Sequence, residues 1–207
     1  MATDPSRFHP LNVTDTCSVW NVLSSNVLYD AARKAGCLFC VTAFVRYELL
    51  DKPRKTSHAA DHELKRRLRQ EQSAGRFETH PCTIDDLQAI GLLADRRRLG
   101  IGELSSIAFA LKIRQGFLSD DRKAFDLAVD RGVAATQNVP EMLEWLVFTG
   151  GMSDAEAVGA IEEHKAMSRS LAAQLDAARQ RAIAYLKNVA SASLTAPQSP
   201  PSPDAPP

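Results

Sequence analysis

The sequence predicts an α/β protein in which helices cover a central, mostly parallel sheet. Short apolar runs alternate with longer segments of helical spacing along most of the chain, which is the pattern of an α/β domain. The run Cys37–Val41 is apolar at every position, as expected for a parallel strand covered on both faces. Capping signals at Thr83 and at Ser153-Asp-Ala-Glu156 mark two helix starts.

The elements follow one another along the chain in a regular order. Gly36 is expected to end the first helix, and Asp51-Lys-Pro53 to break the second from the third. The last strand is expected at the edge of the sheet. Strands are predicted at residues 11–15, 37–41, 76–80, 116–119 and 133–136. Helices are predicted at residues 18–35, 43–51, 57–74, 83–98, 103–114, 121–131 and 139–149.

Four regions are expected. They are an N-terminal arm (1–10), the α/β domain (11–150), a C-terminal helical extension (151–189) and a tail rich in Pro, Ser and Ala (190–207), which should be disordered. The extension is predicted to contain a helix at 153–167 and a long amphipathic helix at 166–188. That second helix either packs on the domain or binds a partner. Its apolar positions are Met167, Leu171, Leu175, Ala178, Ala182 and Leu186.

Composition is that of an ordinary globular protein. With 207 residues, of which 44% are hydrophobic, the chain can form a core of normal domain size. No apolar run approaches the roughly 18 residues of a membrane span, and the N-terminus lacks a signal-peptide core, so a cytoplasmic protein without membrane contact is expected. The formal net charge is zero, so a polyanion would have to bind to local patches. Two candidates are Lys65–Arg69 and the run Arg96, Arg97 and Arg98, and each of them also fits a solvated helix face.

Acidic residues stand where apolar segments end. In a parallel sheet the carboxyl ends of the strands share one edge, where ligands bind. Acids gathered there repel one another by about 3 kcal/mol per pair at roughly 5 Å and an effective dielectric near 20. A cluster of this kind indicates Mg²⁺ or Mn²⁺, although each acid taken singly also fits a helix cap. The acids are Asp15, Glu48, Glu103, Asp120 and Asp121.

Four sequence blocks resemble the PIN-domain nucleases, a family that includes toxins of bacterial toxin–antitoxin pairs. The blocks are Asn12–Asn21 around Asp15, Val41–Leu50 around Glu48, Leu99–Ala110 around Glu103, and Phe117–Phe125 around Asp120 and Asp121. Leu99-Gly-Ile-Gly-Glu103 is the most specific of them. Family members usually carry Ser or Thr two residues after the first acid, where this chain has Cys17 followed by Ser18.

The resemblance implies a three-layer α/β/α, PIN-like fold and a metal-dependent endoribonuclease. Asp15, Glu103 and either Asp120 or Asp121 would hold the principal Mg²⁺ or Mn²⁺ ion, and Glu48 would hold a second ion or position the attacking water. RNA is the expected substrate. Asn21, Arg96, Arg97 and Arg98 are candidates for contact with it. An antitoxin protein and a second copy of the chain are the other expected partners.

Two alternatives stay open. The chain could be a PIN-like RNA-binding or protein-interaction module with little catalysis, which the neutral charge and the added C-terminal helices favour. A flap-type DNA nuclease would carry more acids and a larger helical arch than this sequence shows. No G-x-S-x-G, Walker or G-x-G-x-x-G motif occurs, which argues against serine hydrolase, P-loop and dinucleotide chemistry.

Overall fold

A computed structural model describes residues 4–53, 58–94 and 99–195 of the chain. Its centre is a sheet whose strands all pair in parallel, which confirms the predicted fold class. The strands are β1 (Leu11–Thr14), β2 (Leu38–Thr42), β3 (Glu78–His80), β4 (Gly116–Leu118) and β5 (Ala135–Gln137). They lie in the order β3-β2-β1-β4-β5, so the last strand lies at an edge as predicted.

The register brings the ends of the two central strands together. Thr14, the last residue of β1, pairs with Leu118, the last residue of β4. The residues that follow these two strands therefore begin side by side at one edge of the sheet. Asp15 continues this alignment, because its backbone N–H donates to the carbonyl oxygen of Leu118 at 3.3 Å.

Helices connect the strands and cover both faces of the sheet. They are α1 (Thr16–Leu23), α2 (Asn26–Lys34), α3 (Ala43–Arg46), α4 (Ala59–Ser73), α5 (Ile84–Ala94), α6 (Ile101–Ile113), α7 (Arg122–Asp130), α8 (Val139–Phe148), α9 (Asp154–Ala166) and α10 (Ala172–Thr195). A π-helical turn, Tyr47–Asp51, continues α3. None of the helices in the described ranges combines the length and apolarity needed to cross a bilayer.

The single helix predicted at 18–35 is wrong, because two helices occupy that stretch. The first ends at Leu23, and Ser25 caps the second by accepting a hydrogen bond from the backbone N–H of Leu28 at 3.0 Å. The side chain of Ser24 donates back to the carbonyl of Asn21 at 2.6 Å. Serine hydroxyls that bond to nearby backbone groups compete with the helical pattern, and this pair ends one helix and starts the next.

Successive strand residues point into two separate cores. Phe39 and Val41 of β2, with Leu118 of β4, pack under α1, α2, α4, α8, α9 and α10. Cys40 of β2 and Phe117 of β4 pack on the opposite face, under α5, α6 and α7. Because side chains alternate along a strand, a sheet buried on both faces favours strands that are apolar at most positions. The arrangement is the expected three-layer α/β/α sandwich.

The C-terminal extension packs on the α/β domain. Leu175, Ala178 and Ala182 of α10 are fully buried in the first of the two cores. The predicted continuous helix at 166–188 is wrong, because residues 167–171 form a turn between α9 and α10. Ser168 adopts a left-handed backbone conformation in that turn, with φ +54°. Helix α10 continues to Thr195, so residues 190–195 are helical rather than disordered, and the rest of the predicted tail lies outside the described residues.

Candidate metal and nuclease site

All five predicted acids lie beyond the carboxyl ends of the strands. Asp15 directly follows β1, and Asp120 and Asp121 occupy the link from β4 to α7. Glu103 stands in the first turn of α6, and Glu48 in the π-helical turn after α3. Four different segments of the chain therefore contribute to this edge, as the order of the sequence blocks predicts.

Asp15 and Asp120 share one hydrogen-bonding residue, Ser18. The backbone N–H of Ser18 donates to Asp15 Oδ1 at 2.8 Å, and its hydroxyl donates to Asp120 Oδ2 at 3.1 Å. Ser119 donates its hydroxyl to Asp15 Oδ2 at 2.5 Å, so each oxygen of this buried carboxylate accepts one bond. A carboxylate oxygen has two lone pairs. Asp15 thus keeps acceptor capacity on both oxygens.

Glu48 approaches the Gly-Glu block at its glycine. The hydroxyl of Thr16 donates to Glu48 Oε2 at 2.7 Å. A Cβ atom placed on Gly102 would lie only 2.5 Å from the same oxygen. Any side chain at position 102 would push the Glu48 carboxylate away, so the glycine before Glu103 makes room for a second acid from another part of the chain.

The two adjacent aspartates play different structural roles. Asp121 caps α7, because its Oδ1 accepts the backbone N–H groups of Lys123 and Ala124 at 2.8 and 3.0 Å. Asp120 is directed the other way, toward α1 and α8. Besides the Ser18 hydroxyl, it accepts the side-chain amide of Asn21 at 2.8 Å and the backbone N–H of Val139 at 3.0 Å.

Burial and mutual repulsion raise the pKa of three of the acids. Burial raises the pKa of Asp15 to about 7, and the charge on Asp120 adds to the rise. Burial also raises the pKa of Glu103, with further contributions from the charges of Glu48 and Asp121. The pKa of Asp120 is raised by burial, against the hydrogen bond from Asn21. A cation bound among these groups would relieve both costs.

Ser18, rather than Cys17, provides the hydroxyl at this site. Desolvation, together with the negative charge of Asp15, raises the pKa of the Cys17 thiol to about 11. The thiol therefore stays protonated near neutral pH and is a poor ligand for a hard divalent cation. One position along, Ser18 makes the bonds to both aspartates.

Asn21 is a site residue, and it is held by a residue that sequence reasoning missed. Its side-chain amide donates to Asp120, while its carbonyl Oδ1 accepts from Arg169 Nε at 3.2 Å. Arg169 comes from the turn between α9 and α10, and its positive charge offsets part of the rise that burial causes in the pKa of Asp120. No local pattern marks Arg169 as a site residue, because the turn contains no Gly or Pro and the apolar spacing continues through it.

Of the two predicted arginine patches, the structure describes only the one at Lys65–Arg69. Arg96, Arg97 and Arg98 lie outside the residues that the structure describes. On α4, Arg66 and Arg67 both pair with Glu63, and Arg67 also donates to the carbonyl of Leu23 at 2.9 Å. The patch at Lys65–Arg69 is thus partly engaged in holding α4 against the end of α1.

An open groove of about 760 Å³ begins at Asp120 and Asp121 and runs between α8 and α10. Carboxylates outnumber arginines along its walls. Beyond the two aspartates, the charged lining residues are Asp126, Glu141, Glu144, Arg122 and Arg181. Arg181 already pairs with Glu144 at 2.5 Å. This groove is therefore electrostatically suited to a cationic ligand more than to a nucleic acid.

The acidic side chains are of the chemical type that binds a hard divalent cation, but their spacing in this structure does not form a coordination shell. The acids offer only oxygen, and Mg²⁺ and Mn²⁺ select such ligands. Within the three described ranges, however, no group of three or more Asp, Glu, His or Cys side chains is arranged to hold a metal ion as it stands. Glu48 is held on Thr16 and Asp120 on Asn21. Closing a shell would require side-chain rotations from these bonds.

No protein-family model matches this chain, and no curated protein matches it in sequence. The assignment of a function therefore depends on the residues of the site and on the four sequence blocks that resemble PIN-domain nucleases.

Proposed function

We propose that this protein is a metal-dependent ribonuclease that hydrolyses phosphodiester bonds in RNA. The observation that carries the proposal is the convergence of five carboxylates from four chain segments at one edge of a parallel sheet, with burial raising the pKa of Asp15 to about 7. Such a cluster is costly unless a cation joins it. The family resemblance supplies RNA as the substrate.

Asp15, Glu103 and one of Asp120 and Asp121 would hold Mg²⁺ or Mn²⁺, with Glu48 available for a second ion or for the attacking water. When bound, the metal would lower the pKa of water and offset negative charge on the phosphate and the leaving oxygen. The protein's own part is orientation: Ser18 and Ser119 fix the Asp15 carboxylate, and Asn21 fixes Asp120.

The test is cleavage of a panel of single-stranded RNAs with Mn²⁺, Mg²⁺ or EDTA. We expect cleavage with either metal and none in EDTA. Asp15→Asn and Glu103→Gln should each lower kcat/KM by at least about 100-fold, because each removes a charged oxygen ligand. Glu162→Gln is the matched control, since this surface carboxylate on α9 pairs only with Lys165 among the described residues. Its activity should equal that of the wild type.

Activity that survives both site substitutions would contradict the proposal, and so would cleavage that is unaffected by EDTA. The expected products carry 5′-phosphate and 3′-hydroxyl ends, as the resemblance implies, and end-labelling of the fragments reads them directly. A small antitoxin encoded beside the gene would indicate the toxin role.

The acidic groove favours a second candidate, a protein-interaction module. Its excess of carboxylates over arginines suits a basic peptide segment. If the wild type cleaves no RNA with either metal and neither ion raises its melting temperature, this candidate becomes the better one. Fluorescence anisotropy with an arginine-rich peptide then tests it. Binding should weaken in Glu141→Gln, and equal binding by that variant would count against the groove.

A further inference from the structure

The turn between α9 and α10 begins with a capped helix end. At the end of α9, the N–H of Ser168 donates to the carbonyl of Lys165 at 2.9 Å, and the N–H of Arg169 donates to that of His164 at 3.2 Å. This pair of bonds around a left-handed residue is a Schellman motif. It sets the direction in which the chain leaves the helix.

His164 connects this turn to the residue that contacts Asp120. Its Nε2 accepts the backbone N–H of Leu171 at 3.2 Å, so its Nδ1 carries the proton and donates to Ser24 Oγ at 2.6 Å. The Ser24 hydroxyl donates in turn to the carbonyl of Asn21 at 2.6 Å. Burial and the nearby charge of Arg169 lower the pKa of His164 to about 4, so the ring stays neutral and keeps both bonds near neutral pH.

Arg169 thereby stands at a defined position beside the acids. Its Nε donates to Asn21 Oδ1, and its charge acts on Asp120 and Cys17. It forms no ion pair within 4 Å with any carboxylate of the described residues, unlike Arg67, Arg76, Arg179 and Arg181. Its two terminal nitrogens, with four N–H donors, have no hydrogen-bond partner in the described part of the chain.

We propose that Arg169 is a substrate-binding residue that the C-terminal extension contributes to the site, where it contacts a phosphate of the bound RNA. This inference rests on the proposed ribonuclease function. An anionic backbone that approaches a carboxylate cluster is repelled unless cations lie next to it. Arg169 supplies such a charge, and its planar guanidinium suits a phosphate. The hydrogen bond to the side chain of Asn21 holds Arg169 near the acids. Because Asn21 is neutral, this bond leaves the positive charge of Arg169 uncompensated.

The test combines steady-state cleavage with equilibrium RNA binding, using Arg169→Gln, Arg169→Lys and the control Lys165→Gln. Lys165 is an exposed cation in the same extension that pairs with Glu162. We expect Arg169→Gln to raise KM about 10-fold with kcat within about 3-fold. In EDTA, its plot of log binding constant against log salt should be shallower by about 0.7, the contribution of one contact to single-stranded nucleic acid. Arg169→Lys should keep the slope, and Lys165→Gln should match the wild type.

The results distinguish a direct contact between Arg169 and an RNA phosphate from a role in positioning Asn21 and Asp120 alone. An Arg169→Gln variant with unchanged KM and salt slope would overturn the proposal. A fall in kcat alone would overturn it too, because that result assigns Arg169 only to the positioning of Asn21 and Asp120. If the wild type cleaves nothing, the ribonuclease proposal fails first. The salt dependence of RNA binding then still decides whether Arg169 contacts a phosphate. A wild type that binds no RNA would overturn both the ribonuclease proposal and the proposed role of Arg169. If Arg169→Gln does not fold, Arg169→Met, which also removes the charge and keeps an unbranched side chain, is judged by the same KM and salt slope.

Discussion

At the scale of single residues, the carboxylates of the site are held by neighbouring side chains that are not themselves acidic. The acids themselves were predictable, because carboxylates that follow apolar strands are visible in one sequence. Ser18, Ser119 and Arg169 were not, since nothing in their spacing distinguishes a hydroxyl or guanidinium that bonds a carboxylate from one on the surface. Asp120 depends most on such non-acidic neighbours, because the Ser18 hydroxyl, the Asn21 amide and the backbone N–H of Val139 all donate to it.

The contrast between Asp120 and Asp121 yields a prediction about stability. In Asp120→Asn, one oxygen becomes an amide nitrogen that faces donors, so at least one buried donor loses its partner. We expect a loss of about 1–3 kcal/mol in the free energy of unfolding, even though removing a buried charge offsets part of it. Asp121→Asn should change stability by less than about 0.5 kcal/mol, because Asn caps helices as well as Asp does. Urea unfolding measures both.

Both substitutions should reduce metal-dependent cleavage, since each removes a negative charge near Glu103 or Asp15. Equal unfolding free energies for Asp120→Asn and the wild type would show that the three donors do not depend on that carboxylate. A large destabilisation by Asp121→Asn would show that its cap is not replaceable by an amide.

At the scale of elements, sequence patterns predicted which strands and helices exist better than they predicted where each one begins and ends. The strands and their parallel arrangement followed from apolar runs and from the alternation with helices. Two breaks were missed because no Gly or Pro marks them: serine side chains separate the first two helices, and a left-handed Ser168 ends α9. Ser24 and Ser25 divide the segment at 18–35. After α9, the ring of His164 accepts a hydrogen bond from the backbone N–H of Leu171. These bonds join residues only three to seven positions apart, but Ser and His also occur inside helices, so their presence alone marks no break. Ser24 also contacts His164, 140 residues away, which no local window contains.

Helix α10 gives a matched pair of leucines for testing its attachment to the domain. Leu175 is fully buried, whereas Leu186 is 41% exposed on the same helix. Leu175→Ala should lower the free energy of unfolding by about 2–5 kcal/mol through lost burial and the cavity that remains. Leu186→Ala should cost less than about 1 kcal/mol. Equal effects in denaturant unfolding would mean that α10 is not docked on α8 in solution.

At the scale of the whole molecule, stability should depend on pH through the carboxylate cluster. The pKa of Asp15 is about 7 in the folded protein, above its ordinary value of 3.8. Between these two values the folded protein holds a proton that the unfolded chain has released. Because the folded state binds more protons, its stability falls as pH rises through this window, and the loss is complete above about pH 7.

Binding of a metal ion should restore the folding stability that is lost as the pH rises. We expect MnCl₂ to raise the melting temperature more at about pH 8 than at about pH 5, because the ligands must be deprotonated to bind it. At a hundredfold excess over Kd the stabilisation would be about 2.7 kcal/mol. Asp15→Asn should show a flatter pH profile in EDTA and little response to Mn²⁺. Thermal scans at the two pH values measure this, and an equal Mn²⁺ shift in the variant would argue against Asp15 as a ligand.

The place of β1 in the middle of the sheet also bears on how the protein is made. Its neighbour β4 comes from a distant part of the chain: Ser18 and Asp120, which bond across the site, are 102 residues apart, and Asn21 and Arg169 are 148 apart. A nascent chain emerging from the ribosome therefore cannot assemble these pairs until the later segments have been translated and have left the exit tunnel. For the proposed ribonuclease, that delay would keep the site incomplete until the segment that carries Arg169 has been made.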